Sequence, residues 1–248
     1  MNRILFERDE PHALERGDSR FNHIATVLKS RPGDTLLTGI VDGPKGTATI
    51  QEMSSDRIVL SCEFDRPEEP GPAELTCMLG HPRPIVLKRI LKDLTTVGVN
   101  TIIVTGTELG EKSYLSSNLW RPSGMRRFLV DGASQAGFTR LPVVQREYTV
   151  RRAIDRAISD TPDADLLLLD TQPDAVPLDR WNANSPRVIY ACGSERGWSE
   201  NERELFAAAG FQAASMGPRI LRTETAAVAG GLFLALKAAA VAARNGSI

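Results

Sequence analysis

Arg219, Arg222 and Glu224, with Thr223 and Thr225 among them, stand just ahead of a stretch made almost wholly of Ala, Val, Gly, Leu and Phe. Two guanidiniums in so short a span suit a phosphate or a carboxylate, which their planar forks bind through paired hydrogen bonds. A carboxylate at Glu224 also suits the positive end of a helix starting there, so a purely structural role fits it too. Further upstream, Gly193-Ser194-Glu195-Arg196-Gly197-Trp198 carries glycines at both ends. Glycine lets a backbone approach a ligand closely, although a plain strand-to-helix turn has the same composition. Asp170-Thr171-Gln172-Pro173 is a third polar segment after an apolar run. GxGxxG and GxxxxGK[ST] are absent, which excludes a dinucleotide loop and a P-loop. Three cysteines without CxxC spacing and three histidines argue against a disulfide framework or a zinc site, and fit a reducing cytoplasm.

These segments need a scaffold. Asp165–Leu169 holds four consecutive leucines and Arg187–Cys192 is a second apolar run; both read as strands buried on two faces. Thr101–Thr105 and Phe211–Met216 are further strands. Ser199-Glu200-Asn201-Glu202 is a capping box opening a helix that ends at Gly210. Pro84 opens a helix that Gly98 closes, and a long helix spans about residues 225–243. Strands alternating with helices predict an α/β fold with a mostly parallel sheet. In such sheets ligands bind beyond the carboxyl ends of the strands, where the three polar segments fall.

Residues 1–70 read differently. Ser19 caps a short helix with Phe21, Ile24, Val27 and Leu28 on its apolar face. Thr35–Val41, Thr47–Met53 and Arg57–Phe64 are strand-like, and a small β-barrel buries such strands without open edges. The run Arg66 to Pro72, with three prolines and a glycine, reads as a linker between domains 1–70 and 73–248.

The 248 residues carry 30 basic and 31 acidic side chains, a balance that by itself disfavours a phosphate-rich partner. The regional count reverses that reading. Residues 1–72 hold 9 basic and 13 acidic residues, whereas residues 81–152 hold 12 and 5. The N-terminus lacks the apolar core of a signal peptide, and the longest apolar stretch, from Glu224 to Lys237, is shorter than the roughly 20 residues that cross a bilayer.

GSERGWSENERELFAAAGF followed by MGPRILRTETAA closely resembles the C-terminal signature of the RsmE-like ribosomal RNA methyltransferases of the SPOUT superfamily. That family usually has GPEGGFS in the first segment and LGxRILRTETA in the second. Arg20-Phe21-Asn22-His23 with Val27-Leu28-Lys29 and Gly33-Asp34 resembles its RHxxxVLR…GD segment, and residues 133–142 lie on its A-x-Q-S/C-x-R-x-x-x-P segment. Ser194, Arg196 and Phe138 depart from the usual residues.

The resemblance implies a SPOUT-type sheet with a C-terminal trefoil knot behind a PUA-like barrel, working as a cytoplasmic homodimer. It implies methylation of uridine N3 in 16S ribosomal RNA, with S-adenosylmethionine as donor. The cofactor residues it implies are Asp170, Gly193, Glu195, Gly197, Met216, Gly217, Ile220 and Leu221. Arg222 would stabilise the uridine anion, and Glu224 would accept the proton or hold its loop. RNA contacts would fall to Arg20, Lys29, Arg31, Arg121, Arg126 and Arg140. A methyltransferase for another RNA site and a catalytically silent RNA-binding relative are the alternatives.

Overall fold

The protein, a computed structural model, is described over residues 3–68, 71–121 and 123–246. Part of the expected linker, Glu69 and Pro70, lies outside the described residues. The chain forms two compact units: Met1–Pro70 with Val130–Leu141, and Gly71–Leu129 with Pro142–Ile248.

In the first unit, β1 (Ile4–Phe6), β2 (Ala13–Glu15), β3 (Thr35–Ile40), β4 (Lys45–Met53) and β5 (Arg57–Arg66) form a half-barrel in the order β1-β3-β4-β5-β2. Only β1 and β3 run parallel; the other ladders are antiparallel. The two-residue side-chain period puts Gly46, Ala48 and Ile50 of β4 on the buried face. There Ala48 and Ile50 join Phe6, Leu14, Ile24, Ile58 and Leu60 in one core. The segment from residue 130 to 141 is fastened to these strands by buried polar groups. Arg3 donates to carbonyls of Thr38, Gly46 and Gly137, and Ser134 Oγ donates to Arg3 O at 2.7 Å. The Glu68 carboxylate accepts from Thr139 N and Oγ1, both at 2.8 Å.

Two local expectations change. Asp18, not Ser19, caps α1 (Ser19–Asn22), its carboxylate accepting from Arg20 N at 2.8 Å. The next six residues, His23–Leu28, form a π-helical segment. Its wider turn rotates Val27 and Leu28 off the apolar stripe, leaving them 66% and 40% exposed while Phe21 and Ile24 stay buried.

The second unit holds β6 (Glu74–Gly80), α2 (Pro84–Val97), β7 (Thr101–Thr105), β8 (Val143–Glu147), α4 (Val150–Asp160), β9 (Asp165–Leu169), β10 (Val176–Pro177), β11 (Arg187–Cys192), α5 (Glu200–Ala208), β12 (Gln212–Ser215) and α6 (Thr223–Arg244). Helix α3 (Arg126–Ala136) begins within it. The seven strands pair in the order β10-β12-β9-β11-β6-β7-β8, every ladder parallel. Sequence reasoning passed over β6, yet it lies between β11 and β7 with Leu75, Cys77, Met78 and Leu79 buried. The capping box is complete: Ser199 Oγ accepts from Glu202 N, and Glu202 Oε2 accepts from Ser199 N at 2.8 Å.

Helix α6 runs 22 residues, because the alanines beyond Lys237 continue it. By length and composition alone it could cross a membrane, a test that a buried core helix passes as well. One face packs on α2, β6 and β11. Glycine is needed there: a Cβ at Gly231 would lie 2.5 Å from the hydroxyl of buried Tyr190, which donates to Ala227 O at 3.0 Å.

At Gly46, beside a register shift between β4 and β5, an added Cβ would fall 1.8 Å from the Glu63 carbonyl oxygen. Gly46→Ala must therefore displace backbone, and overpacking of this kind costs about 1–3 kcal/mol. The expected outcome is a lower urea midpoint for the unfolding signal of the first unit; an unchanged midpoint would show that the bulge relaxes freely.

Candidate active site

The carboxyl ends of β9, β11 and β12 open into a cleft of about 600 Å³. All ten residues expected to hold a cofactor or do chemistry line it. Asp170 follows β9; Gly193, Glu195 and Gly197 follow β11. Met216, Gly217, Ile220 and Leu221 follow β12, and Arg222 and Glu224 stand at the start of α6. Sequence reasoning missed a fourth strand-end segment. Arg83 and Val86, just beyond β6, line the same cleft. The apolar run Leu75–Leu79 was the signal that could have found it.

The loop after β11 is held in place by short contacts. Gly197 N donates to Ser194 O at 2.9 Å, with Gly197 at φ +70°, where an L side chain is strained. A Cβ on Gly193 would meet Gly197 Cα at 2.9 Å, and one on Gly80 would meet the Ser194 backbone nitrogen at 2.6 Å. Glu195 Oε1 accepts from Arg83 N at 2.9 Å, which ties the loop to the start of α2. The Asp170 carboxylate pairs with Arg203 of α5 at 2.7 Å, so it positions its own loop and leaves ligand contact to the backbone.

Several polar groups on the cleft lack an internal partner. Ser194 Oγ and Trp198 Nε1 are buried with no hydrogen-bond partner. Among the described residues no hydrogen bond or ion pair engages the side chains of Arg219, Arg222 or Glu224. Ile220 is 89% exposed, an apolar side chain free to cover a ligand. The cleft thus offers a backbone cradle, two buried polar atoms, an apolar flap, two guanidiniums and one carboxylate. That set fits a mixed apolar and polar ligand beside an anion. Burial above all pushes the Cys192 thiol well above its ordinary value, so the cleft presents no thiolate nucleophile.

The expected RNA-contacting residues separate. Lys29, Arg31, Arg121, Arg126 and Arg140 are exposed. Arg20 corrects the expectation: its guanidinium pairs with Glu10 and Asp18, donates to Leu5 O at 2.7 Å and lies 4.9 Å from the Phe6 ring. With its donors engaged internally it holds the first unit together. Trp181, at 7% exposure, packs in the core, and the Trp198 ring, at 2%, packs against Phe206, which leaves only its Nε1 for the cleft.

Beside the cleft, His81 is buried between two groups. Its Nδ1 donates to Pro82 O at 2.7 Å and its Nε2 accepts from Trp120 Nε1 at 3.0 Å, an arrangement that only the neutral Nδ1–H tautomer satisfies.

The sequence model of the RNA methyltransferase domain matches residues 69–232. A ribosomal RNA small subunit methyltransferase E of Treponema pallidum is 40% identical over 92% of this chain and 88% of its own length. One of Borreliella burgdorferi is 28% identical over 96% and 98%. Among solved structures, a ribosomal RNA small subunit methyltransferase E of Neisseria gonorrhoeae bound to S-adenosyl methionine superposes with TM-score 0.73 at 23% identity, over 93% of this chain and 95% of that one. A probable rRNA-methyltransferase of Porphyromonas gingivalis gives 0.69 at 22% identity, over 98% and 99%.

Burial, the largest cause, holds His81 below its ordinary pKa of 6.5. The unfolded chain takes up this proton as pH falls through about 6.5, and the folded chain does so only at lower pH, so folding stability declines across that window. His81→Gln keeps a donor and an acceptor without titrating. Its unfolding free energy, measured by urea at pH 7.5 and 5.5, should fall less than that of the parent. Equal pH dependence would mean that His81 titrates alike in both states.

Proposed function

The chain belongs to the RNA methyltransferase family, and from that premise we propose that it transfers a methyl group from S-adenosylmethionine to N3 of a uridine in 16S ribosomal RNA. The observation that carries this reading is the convergence of Asp170, Gly193, Glu195, Gly197, Met216, Gly217, Ile220 and Leu221 with Arg222 and Glu224 on one cleft. The backbone of the two loops after β11 and β12 would enclose the adenosine and methionine parts. Ser194 Oγ and Trp198 Nε1, buried and unpartnered, would satisfy polar atoms of the ligand. When bound, the cofactor would supply an electrophilic methyl group on its sulfonium.

The chain's own residues then have three tasks. Arg222, exposed at the N-cap of α6, stabilises the uridine anion or its neighbouring phosphate. Glu224 lies half-buried in the first turn of α6, its carboxylate without a hydrogen bond among the described residues, and accepts the N3 proton. The glycine-bound loops hold the reacting groups in line. Cys192, kept as a neutral thiol, takes no part.

We extend the proposal to the surroundings. Lys29, Arg31, Arg121, Arg126 and Arg140 contact RNA; Arg20 is left out for its internal pairs. The half-barrel serves as a PUA-like RNA-binding domain, and the chain from β9 through α6 is threaded as a trefoil knot. The exposed stripe Ala229, Leu232 and Leu236 on α6 suits a homodimer, and the protein acts in the cytoplasm without a membrane. Ser194, Arg196 and Phe138, which differ from the usual family residues, favour one second reading, a methyltransferase for another RNA site.

Undermethylated small subunits and free 16S RNA, incubated with labelled S-adenosylmethionine, should gain 3-methyluridine detectable by mass spectrometry. Arg222→Ala should lower turnover at least tenfold with cofactor affinity by calorimetry unchanged. Label on a different nucleotide would support the second reading, and no cofactor binding would overturn both.

A further inference from the structure

We propose that a second cleft in the same unit, on the other side of the first turns of α2, binds a backbone phosphate of the RNA substrate. The inference rests on the methyltransferase reading and assigns a new site to its substrate. The cleft, of about 840 Å³, is lined by Pro84 and Lys88 of α2 and by residues between Ser116 and Arg127, including Ser117, Arg121 and Arg127. Among the described residues it holds three cations, and no carboxylate lines it.

What marks the cleft is three cations together with no acid lining it among the described residues. Elsewhere the half-buried guanidiniums of Arg20 and Arg203 each meet a carboxylate. Lys88 is half-buried too, yet among the described residues no ion pair engages Lys88, Arg121 or Arg127. Lys88 Nζ lies 5.8 Å and the Arg127 guanidinium 4.5 Å from the centre of the Phe128 ring, which orients both cations without neutralising either. Like charges gathered without an acid repel one another, so a ligand that compensates them is an anion. Ser117 adds an independent sign. Its Oγ is buried and has no hydrogen-bond partner. A hydroxyl donor beside three cations matches the oxygens of a phosphodiester.

Helix α2 relates the two clefts. Arg83 and Val86 line the candidate active site, and Pro84 and Lys88 line the basic cleft. At the α-helical rise, the five steps from Arg83 to Lys88 cover about 7.5 Å. An RNA strand crossing this turn can place a base in the first cleft while the second grips its backbone. The basic cleft carries no sequence information in this arrangement; it sets the register in which the target base is presented.

The test is RNA binding measured by fluorescence anisotropy over a salt series, with a single-stranded 16S fragment as probe. Lys88→Gln/Arg121→Gln/Arg127→Gln should weaken binding at least tenfold. It should also make the slope of log K against log salt shallower by about 0.7 for each phosphate that is no longer neutralised. Arg121→Gln alone, at an exposed position, should give a smaller change of the same kind and guards against misfolding of the triple variant. Arg187→Gln, at the amino end of β11, should change neither quantity. Wild-type affinity and slope in a folded triple variant would overturn the proposal, as would weaker binding with an unchanged slope. Loss of inorganic phosphate binding with RNA binding intact would mark a free-anion site and overturn it too. Calorimetry with S-adenosylmethionine runs in parallel: its failure on the parent protein defeats the methyltransferase reading, whereas the salt slopes judge the cleft separately.

Discussion

The candidate site depends on one close approach of backbone to backbone. The loop after β11 lies against the end of β6 so tightly that no side chain fits at Gly80, where a Cβ would sit 2.6 Å from the Ser194 nitrogen. Within the loop, Gly193 and Gly197 are nearly in contact for the same reason. This packing lets the backbone, and not a set of long side chains, form the wall of the cleft. Every further contact serves to keep that wall in place. Glu195 accepts from the start of α2, Arg203 of α5 reaches back to Asp170, and the Ser199–Glu202 box fixes the helix that leaves the loop. A cradle built from backbone is rigid and shape-selective, which suits a ligand with an extended apolar part and few charges.

Charge in this protein is managed locally. The total is close to neutral, and in the first unit Arg20 and Lys45 are paired with Glu10, Asp18 and Glu68. Buried Arg3 is satisfied by carbonyl oxygens, and its pKa is lowered first by burial. These cations maintain the fold. In the second unit, the cations that meet no carboxylate among the described residues include Arg219 and Arg222 on the candidate active site and Lys88, Arg121 and Arg127 on the basic cleft. Recognition by such patches does not need a high overall charge, because exposed charges act over about a Debye length.

Much of this was readable from local sequence. Gly98 ends α2 in the left-handed region at φ +92°, Pro84 opens it, and Ser199 with Glu202 forms the capping box, each decided by residues within a few positions. The leucines of β9 and the apolar run of β11 identified strands, and the segments beyond them identified the loops with chemistry. Local reading failed where the competing signal was equally local. Asp18 outcompeted Ser19 as a cap, and the π-helical turn moved Val27 and Leu28 out of a stripe that a 3.6-residue period would bury. Strand β6 was passed over although Pro72 and Gly80 bound its apolar run, because it directly follows the proline-rich segment read as a linker.

The sequence alone determined the elements and the kinds of chemistry available, because caps, turns and apolar periods act between near neighbours. It also carried the family signature, which is a pattern of residues along the chain. Only the tertiary structure decided which loops share a cleft, since strand order in a parallel sheet is set by crossovers and brings Arg83 beside Glu195 across more than a hundred residues. Only the tertiary structure separated Arg20 from Arg121. Both are arginines in polar surroundings by sequence, but folding surrounds one with carboxylates and leaves the other in a cleft that no carboxylate among the described residues lines, and the partners of a charge are what determine its function.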